Sequence, residues 1–196
     1  MDKVQKLRAQ FAEHGIDGFL ITNEYNRRYM TNFTGTAGVA LISETDAVFI
    51  TDFRYVEQAT RQIEGYEIVQ HTQTLIEEVA KQVERLGIQK LGFEQDDLSY
   101  ATFSSYEKAL KTTLIPVSGA VEKLRLIKSE AEIKILKEAA EIADAAFRHI
   151  LDFIRPGVRE IDVANELEFL CANKGRQVHH LTSSLHPVCA QRCHMG

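Results

Sequence analysis

Residues 38–63 read GVALISETDAVFITDFRYVEQATRQI. GVALIS and AVFIT are short apolar runs with only Glu44, Thr45 and Asp46 between them. Two β-prone runs split by a short polar link read as a hairpin, and a hairpin brings an antiparallel pair into its sheet. FRYVEQATRQI then changes to helical spacing. On either side the pattern differs. DGFLIT (17–22), YEIVQ (66–70), KLGFE (90–94) and TLIPVS (113–118) are further strand-like runs. Helical stretches separate them, among them TLIEEVAKQVERLG (74–87), which stops on a glycine, and SYATFSSYEKAL (99–110). Strands alternating with helices predict an α/β layer with a largely parallel sheet, which the hairpin makes mixed. MDKVQKLRAQFAEHG (1–15) reads as one amphipathic helix leading into it.

After residue 119 the strands cease. Ser129 followed by Glu132 has the form of a capping box at a helix start. Ile133, Leu136, Ala140, Ala143, Phe147 and Ile150 then form one apolar face by spacing, until Pro156 and Gly157 break the helix. VREIDVANELEFL (158–170) begins another, with Ile161, Val163 and Leu167 apolar. A domain boundary is expected at residue 124, with a helical segment over 125–170.

The chain of 196 residues is 44% hydrophobic and 26% charged, with a formal net charge of -5. The acidic balance and the absence of a basic stripe argue against nucleic-acid binding. No apolar run reaches membrane-spanning length, so no membrane association is expected. No apolar segment follows the basic N-terminal residues as in a signal peptide, which points to the cytoplasm.

RYMTNFTGTAG, ITDFRYVEQA, EKLRLIKSEAEI and RPGVREIDVANELE occur in that order between residues 28 and 168. Together they resemble the Xaa-Pro peptidases: Xaa-Pro aminopeptidase, Xaa-Pro dipeptidase (prolidase) and their relative creatinase. The resemblance implies a creatinase/prolidase N-terminal-type α/β domain with a mixed sheet flanked by helices, followed by the truncated start of a pita-bread α+β domain. It implies hydrolysis of the bond before proline in proline-containing peptides. It also implies two divalent metal ions (Mn, Co or Zn) in the full-length parent, held by two Asp, one His and two Glu. Hard or borderline dications favour carboxylate oxygens and can activate a water while polarising a carbonyl. The matching positions lie beyond the part of the family that this chain resembles, so neither catalytic nor metal residues are assigned. A homo-oligomer, a dimer, is expected.

The last stretch, 171–196, holds all three cysteines, Cys171, Cys189 and Cys193, and four of the seven histidines. A zinc site, an unstructured tail and out-of-frame translation are the three readings. Cys189 and Cys193 lack a second close pair, and Cys171 stands alone, which weakens the first. The third can be tested by codons. If each true codon joins the third base of one written codon to the first two of the next, the hidden frame can read MRKQGATSSSFDIIVASGLRSALPHG. That string resembles the continuation of the Xaa-Pro peptidases, and a run of T across Phe169 and Leu170 offers the cause. The tail is therefore read as out-of-frame.

Asp52, Arg54 and Tyr55 stand where a strand ends and a helix begins. They read either as a helix cap with salt-bridge and packing contacts, or as a subunit contact or wall of a substrate site. TGTAG (34–38) reads as a flexible turn, or, by resemblance to creatinase, as a loop reaching the neighbouring subunit's active site; Phe33 and Thr36 are then substrate-side candidates. His14, His71 and His149 are scattered and read as ordinary helix or surface residues. Glu94, Asp96 and Asp97 are expected on surface turns and strand ends. The function expected is that of a truncated Xaa-Pro peptidase, itself inactive; the alternative is a non-catalytic N-terminal oligomerisation or binding module.

Overall fold

The computed structural model describes residues 2–179, and the side chains of 2–173. The chain divides into two compact units, Met1–Ile127 and Lys128–Gly196.

The first unit is a six-stranded mixed sheet between two helical layers. Its strands are β1 (Gly18–Ile21), β2 (Val39–Ser43), β3 (Ala47–Thr51), β4 (Glu67–Gln70), β5 (Lys90–Glu94) and β6 (Thr113–Val117), in the order β4-β3-β2-β1-β5-β6. β2 and β3 form the hairpin, paired Val39 to Ile50 and Ile42 to Ala47. β1 also runs antiparallel to β2, whereas β1–β5, β5–β6 and β3–β4 are parallel. The hairpin thus sits in the middle of the sheet and joins two parallel parts.

The central strands are apolar on both faces because both faces are covered. Phe19, Ile21, Ala40, Ile42, Ala47 and Phe49 point into one core. There they meet α1 (Lys3–Arg8), α2 (Phe11–His14), α3 (Glu24–Thr31), α4 (Val56–Gln62) and α7 (Ala120–Leu126). Leu20, Val39, Leu41, Val48, Ile50 and Leu91 point the other way, toward Val79 and Val83 of α5 (Leu75–Arg85) and Tyr106 of α6 (Tyr100–Ala109). α5 opens on a capping box from Thr74 and Glu77.

The structure departs from the sequence reading in two places here. The N-terminal helix is broken at Ala9 and Gln10 into α1 and α2, and Gln10 turns its amide to the backbone oxygen of Ala120. α3 is a full helix that apolar periodicity alone does not announce. Asn23 caps it, accepting from the Tyr25 and Asn26 amides.

The second unit consists of α8 (Glu130–Phe153) and α9 (Glu160–His179). Ser129 and Glu132 form the expected capping box. α9 continues past Leu170, so residues 171–179 are helical; residues 180–196, with Cys189, Cys193 and His194, lie outside the described residues. Ile150 does not share the exposed face of Ile133, Leu136 and Phe147: it is buried with Ala146. The 3.6-residue turn carries a stripe round the helix axis, and Ile150 falls off the line of the exposed residues. Between α8 and α9, His149 Nε2 lies 2.7 Å from Glu166 Oε1.

A polypeptide of residues 1–127 is expected to fold alone and unfold in one cooperative transition, followed by circular dichroism on heating. Ending it at Leu124 instead would remove Arg125, whose guanidinium donates to Asn26 at 3.0 Å. A broad, non-cooperative melt of 1–127 would count against its independence.

Candidate functional site

The loop 34–38 and the turn 52–55 stand side by side at the ends of β2 and β3. Thr36 Oγ1 and the Tyr55 hydroxyl are 2.8 Å apart. Phe33 is buried beneath them. Its ring lies 4.7 Å from Phe49 and meets Tyr55 edge-on at 5.8 Å, between centroids. So Phe33 backs the loop from the core, while Thr36 is exposed.

The loop is not a free turn. Arg27, buried on α3, donates from Nη1 to Gly38 O at 2.7 Å and from Nη2 to Gly35 O at 3.0 Å. Burial lowers its pKa, and the carboxylates of Glu24, Asp97 and Glu94 oppose that effect. Thr34 is held by Gln58 and Gln62. Thr51 Oγ1 donates to Ala37 O. Gly38 adopts φ 139°, a conformation side chains resist, and a Cβ there would also meet the Phe49 ring at 2.7 Å. At Gly35 a Cβ would overlap the Phe33 ring and come within 2.8 Å of Tyr55. Gly35→Ala is expected to cost about 1–3 kcal/mol through this overpacking, read as a lower midpoint in urea; an unchanged midpoint would show that the loop yields freely.

Asp52 does not cap α4. The helix begins at Val56, its N-cap is Tyr55, and no side chain caps it. Asp52 Oδ1 instead accepts from the Arg54 amide at 2.9 Å, and its carboxylate takes the Arg54 guanidinium in a bidentate pair at 3.0 and 2.8 Å. That hydrogen bond lowers the Asp52 pKa and raises that of Arg54. Arg54 also lies 5.5 Å from the Tyr55 ring centroid. Between them Phe53 is exposed. The surface offers two hydroxyls, a self-satisfied ion pair and one aromatic ring. Among these residues no nucleophile stands beside a base.

The acidic residues form a second locus, at the C-terminal ends of β1, β5 and β6. Here Glu94 corrects the sequence reading: it is buried, not on a surface turn. Its carboxylate accepts from the backbone amides of Thr22 and Asn23 and from Asn26 Nδ2, each at 2.7 Å. Asn26 also donates to Glu122 and accepts from Arg125, tying α3 to α7. Burial raises the Glu94 pKa and Asp97 adds to this, against the hydrogen bonds from Asn23, Asn26 and Thr22. Asp97 is exposed and accepts from Thr22 and Asn23; Asp96 accepts from Ser118. The cavity they line is about 50 Å³, room for little more than water. Sequence reasoning missed Asn26 and Arg27 and misplaced Glu94, because their partners come together only in the fold: Asn26 meets the side chains of Glu94, Glu122 and Arg125, Arg27 the carbonyls of Gly35 and Gly38, and Glu94 the amides of Thr22 and Asn23. The one visible sign was Asn23 placed to cap α3.

Among the described residues, no group of three or more His, Cys, Asp or Glu could hold a metal ion. The described residues therefore do not fit the metal pair that the resemblance implies. His71 Nδ1 lies 2.9 Å from Gln73 O, and the His149 ring meets Glu166.

This fold has known counterparts. The Creatinase/Prolidase N-terminal domain family matches residues 3–127, and metallopeptidase family M24 matches residues 134–194. The chain belongs to the Xaa-Pro peptidase family, with a creatinase/prolidase N-terminal domain followed by part of an M24 peptidase domain. The uncharacterized peptidase YqhT of Bacillus subtilis (strain 168) is 57% identical over 174 residues, which are 88% of this chain and 49% of YqhT. A Xaa-Pro dipeptidase from Bacillus anthracis superposes with a TM-score of 0.85 at 66% identity, over 88% of this chain and 48% of that one. The N-terminal domain of the cytoplasmic peptidase PepQ from Mycobacterium tuberculosis H37Rv, crystallised as a domain, gives 0.58 at 33% identity over 62% of this chain and 97% of that one. The chain spans about half the length of the curated relatives it matches. No helix among the described residues is long and apolar enough to cross a membrane.

Proposed function

We propose that these 196 residues are the N-terminal half of a cytoplasmic, metal-dependent hydrolase of Xaa-Pro peptide bonds, and that alone they do not catalyse that reaction. The supporting observation is the 66% identity to a Xaa-Pro dipeptidase over only 48% of its length. The catalytic metal ligands then belong to the part of the enzyme that these residues do not include. Residues 1–127 act as the N-terminal domain, and the residues that follow open the catalytic one. The surface of Thr36, Asp52, Arg54 and Tyr55, backed by Phe33, is the side offered to a neighbouring subunit or to the substrate it holds. The alternative, a free-standing binding module, has in its favour that the first unit holds its own hydrophobic cores on both faces of the sheet. Against it, the chain continues into α8 and α9.

The stretch 171–196 is the part of this reading that DNA decides. The hidden frame can be written as a family-like string, whereas the M24 match to the written residues extends to 194. Sequencing the gene across codons 169–171 is expected to show a continuation in the other frame once one T is restored. A gene with no such continuation would overturn the out-of-frame reading.

A further inference from the structure

α3 is gripped on two sides. Asn26 and Tyr29 share one side and reach α7. Asn26 Nδ2 donates to the Glu122 carboxylate, Asn26 Oδ1 accepts from Arg125 at 3.0 Å, and the Tyr29 hydroxyl donates to Leu124 O at 3.3 Å. Arg27 and Thr31 share another side and reach the loop that follows α3. Arg27 donates to Gly35 O and Gly38 O, and Thr31 Oγ1 accepts from the Phe33 amide at 3.2 Å. With 3.6 residues per turn, the two pairs lie about 150° apart around the helix axis.

Both grips are buried: Asn26 is 0% exposed and Arg27 5%. The Asn26 amide also donates to Glu94 at 2.7 Å, so both its N–H groups and its oxygen are used. A buried polar group loses more by going unpaired than it gains by pairing. Neither grip therefore slides at small cost. α3 has only eight residues, about 12 Å of helix, and is short enough to move as one body. α7 is the last element before the boundary at Ile127, so the chain leaves the first unit through it.

We propose that α3 is a relay between α7 and the loop 33–38. Asn26 and Tyr29 register where α7 sits, and Arg27 and Thr31 are positioning residues that pass this to the loop. With α7 seated, the two Nη groups of Arg27 hold Gly35 O and Gly38 O, and Thr36 stands beside Tyr55. With α7 released, α3 is freed on one side and the loop loosens. Such coupling is reciprocal, so loosening the loop also loosens α7. Gln58, Gln62 and Thr51 hold Thr34 and Ala37 independently of α3, so the loop loosens without unfolding. The use of the relay in catalysis rests on the function proposed above, in which this loop faces the substrate or the subunit that holds it.

Hydrogen exchange of the 196-residue chain, read by mass spectrometry, tests the coupling. Three stretches are followed: 32–38, 120–127 and, as a control, α5, which packs in the core on the other face of the sheet. Arg125→Ala should raise exchange in 32–38 roughly tenfold, the size of one charge-assisted hydrogen bond, and leave α5 unchanged. Tyr29→Phe, a milder change, should raise it about threefold. Arg27→Lys keeps the charge but loses the planar fork that reaches two carbonyls. It should raise exchange in 120–127 as well as in 32–38. Unchanged exchange in 32–38 on removal of either tie to α7, a rise confined to the loop with Arg27→Lys, or an equal rise in α5 would each overturn the relay. No turnover enters this measurement. Its failure would leave the peptidase reading standing, and an extended chain without activity would leave the relay standing.

Discussion

Glu94→Ala should lower the stability of the first unit by about 3 kcal/mol, enough to drop its melting temperature by roughly 10 °C. Two backbone amides and the Asn26 side chain give Glu94 their protons inside the fold. Alanine leaves both amides without their protein acceptor, and an unmet buried donor costs more than a hydrogen bond gains. Glu94→Gln should cost less, about 1 kcal/mol, because the glutamine oxygen can still serve both amides while its nitrogen faces the Asn26 donor. The pH dependence has a definite sign. The Glu94 pKa is raised in the fold, so between its unfolded and folded values the folded chain holds more protons. Stability from this group is present at acidic pH and is lost as pH rises through the folded value. The glutamine variant should lack that part of the profile. Urea denaturation of 1–127 at a series of pH values reads both effects, and an alanine variant as stable as its parent would show that the network carries little.

Extending the chain should have the largest effect on function. A polypeptide continued in the restored frame through the rest of the M24 domain should bind divalent cations tightly and hydrolyse Xaa-Pro peptides. The 196-residue chain should do neither. A metal-activated water needs its ion held by several ligands beside the substrate, and the described residues gather no such set. Metal content by mass spectrometry and release of proline report the two gains separately. An extended chain that takes up metal without turnover would place the defect in the substrate site and not in metal binding.

How much of this was legible depended on distance along the chain. The hairpin could be read because its two runs and the link between them fall within 38–51, and the central strands because burial on both faces leaves them uniformly apolar. The capping box at Ser129 is a four-residue signal and was equally visible. α3 was not read, since its polar residues point inward to serve the ends of distant strands: Arg27 holds the loop at Gly35 and Gly38, and Asn26 meets Glu94 and Arg125. Apolar periodicity is blind to a buried face made of polar groups. Thr36 and Tyr55 could be singled out, but not their mutual contact, because it depends on how the hairpin presents two turns to each other. Asp52 showed the reverse failure. An Asp before a helix suggests a cap, yet Arg54, two residues on, competes for the carboxylate and wins it.

On the proposed function, these residues carry the N-terminal fold of an Xaa-Pro peptidase without its catalytic centre. The most direct test is turnover of an Xaa-Pro dipeptide and an Xaa-Pro tripeptide by the purified 196-residue chain, in Mn²⁺, Co²⁺ and Zn²⁺ separately. The expected result is no release above a mock purification from cells lacking the gene. Turnover that persists after host peptidases are removed, and disappears when Cys189 and Cys193 are changed to serine, would contradict it.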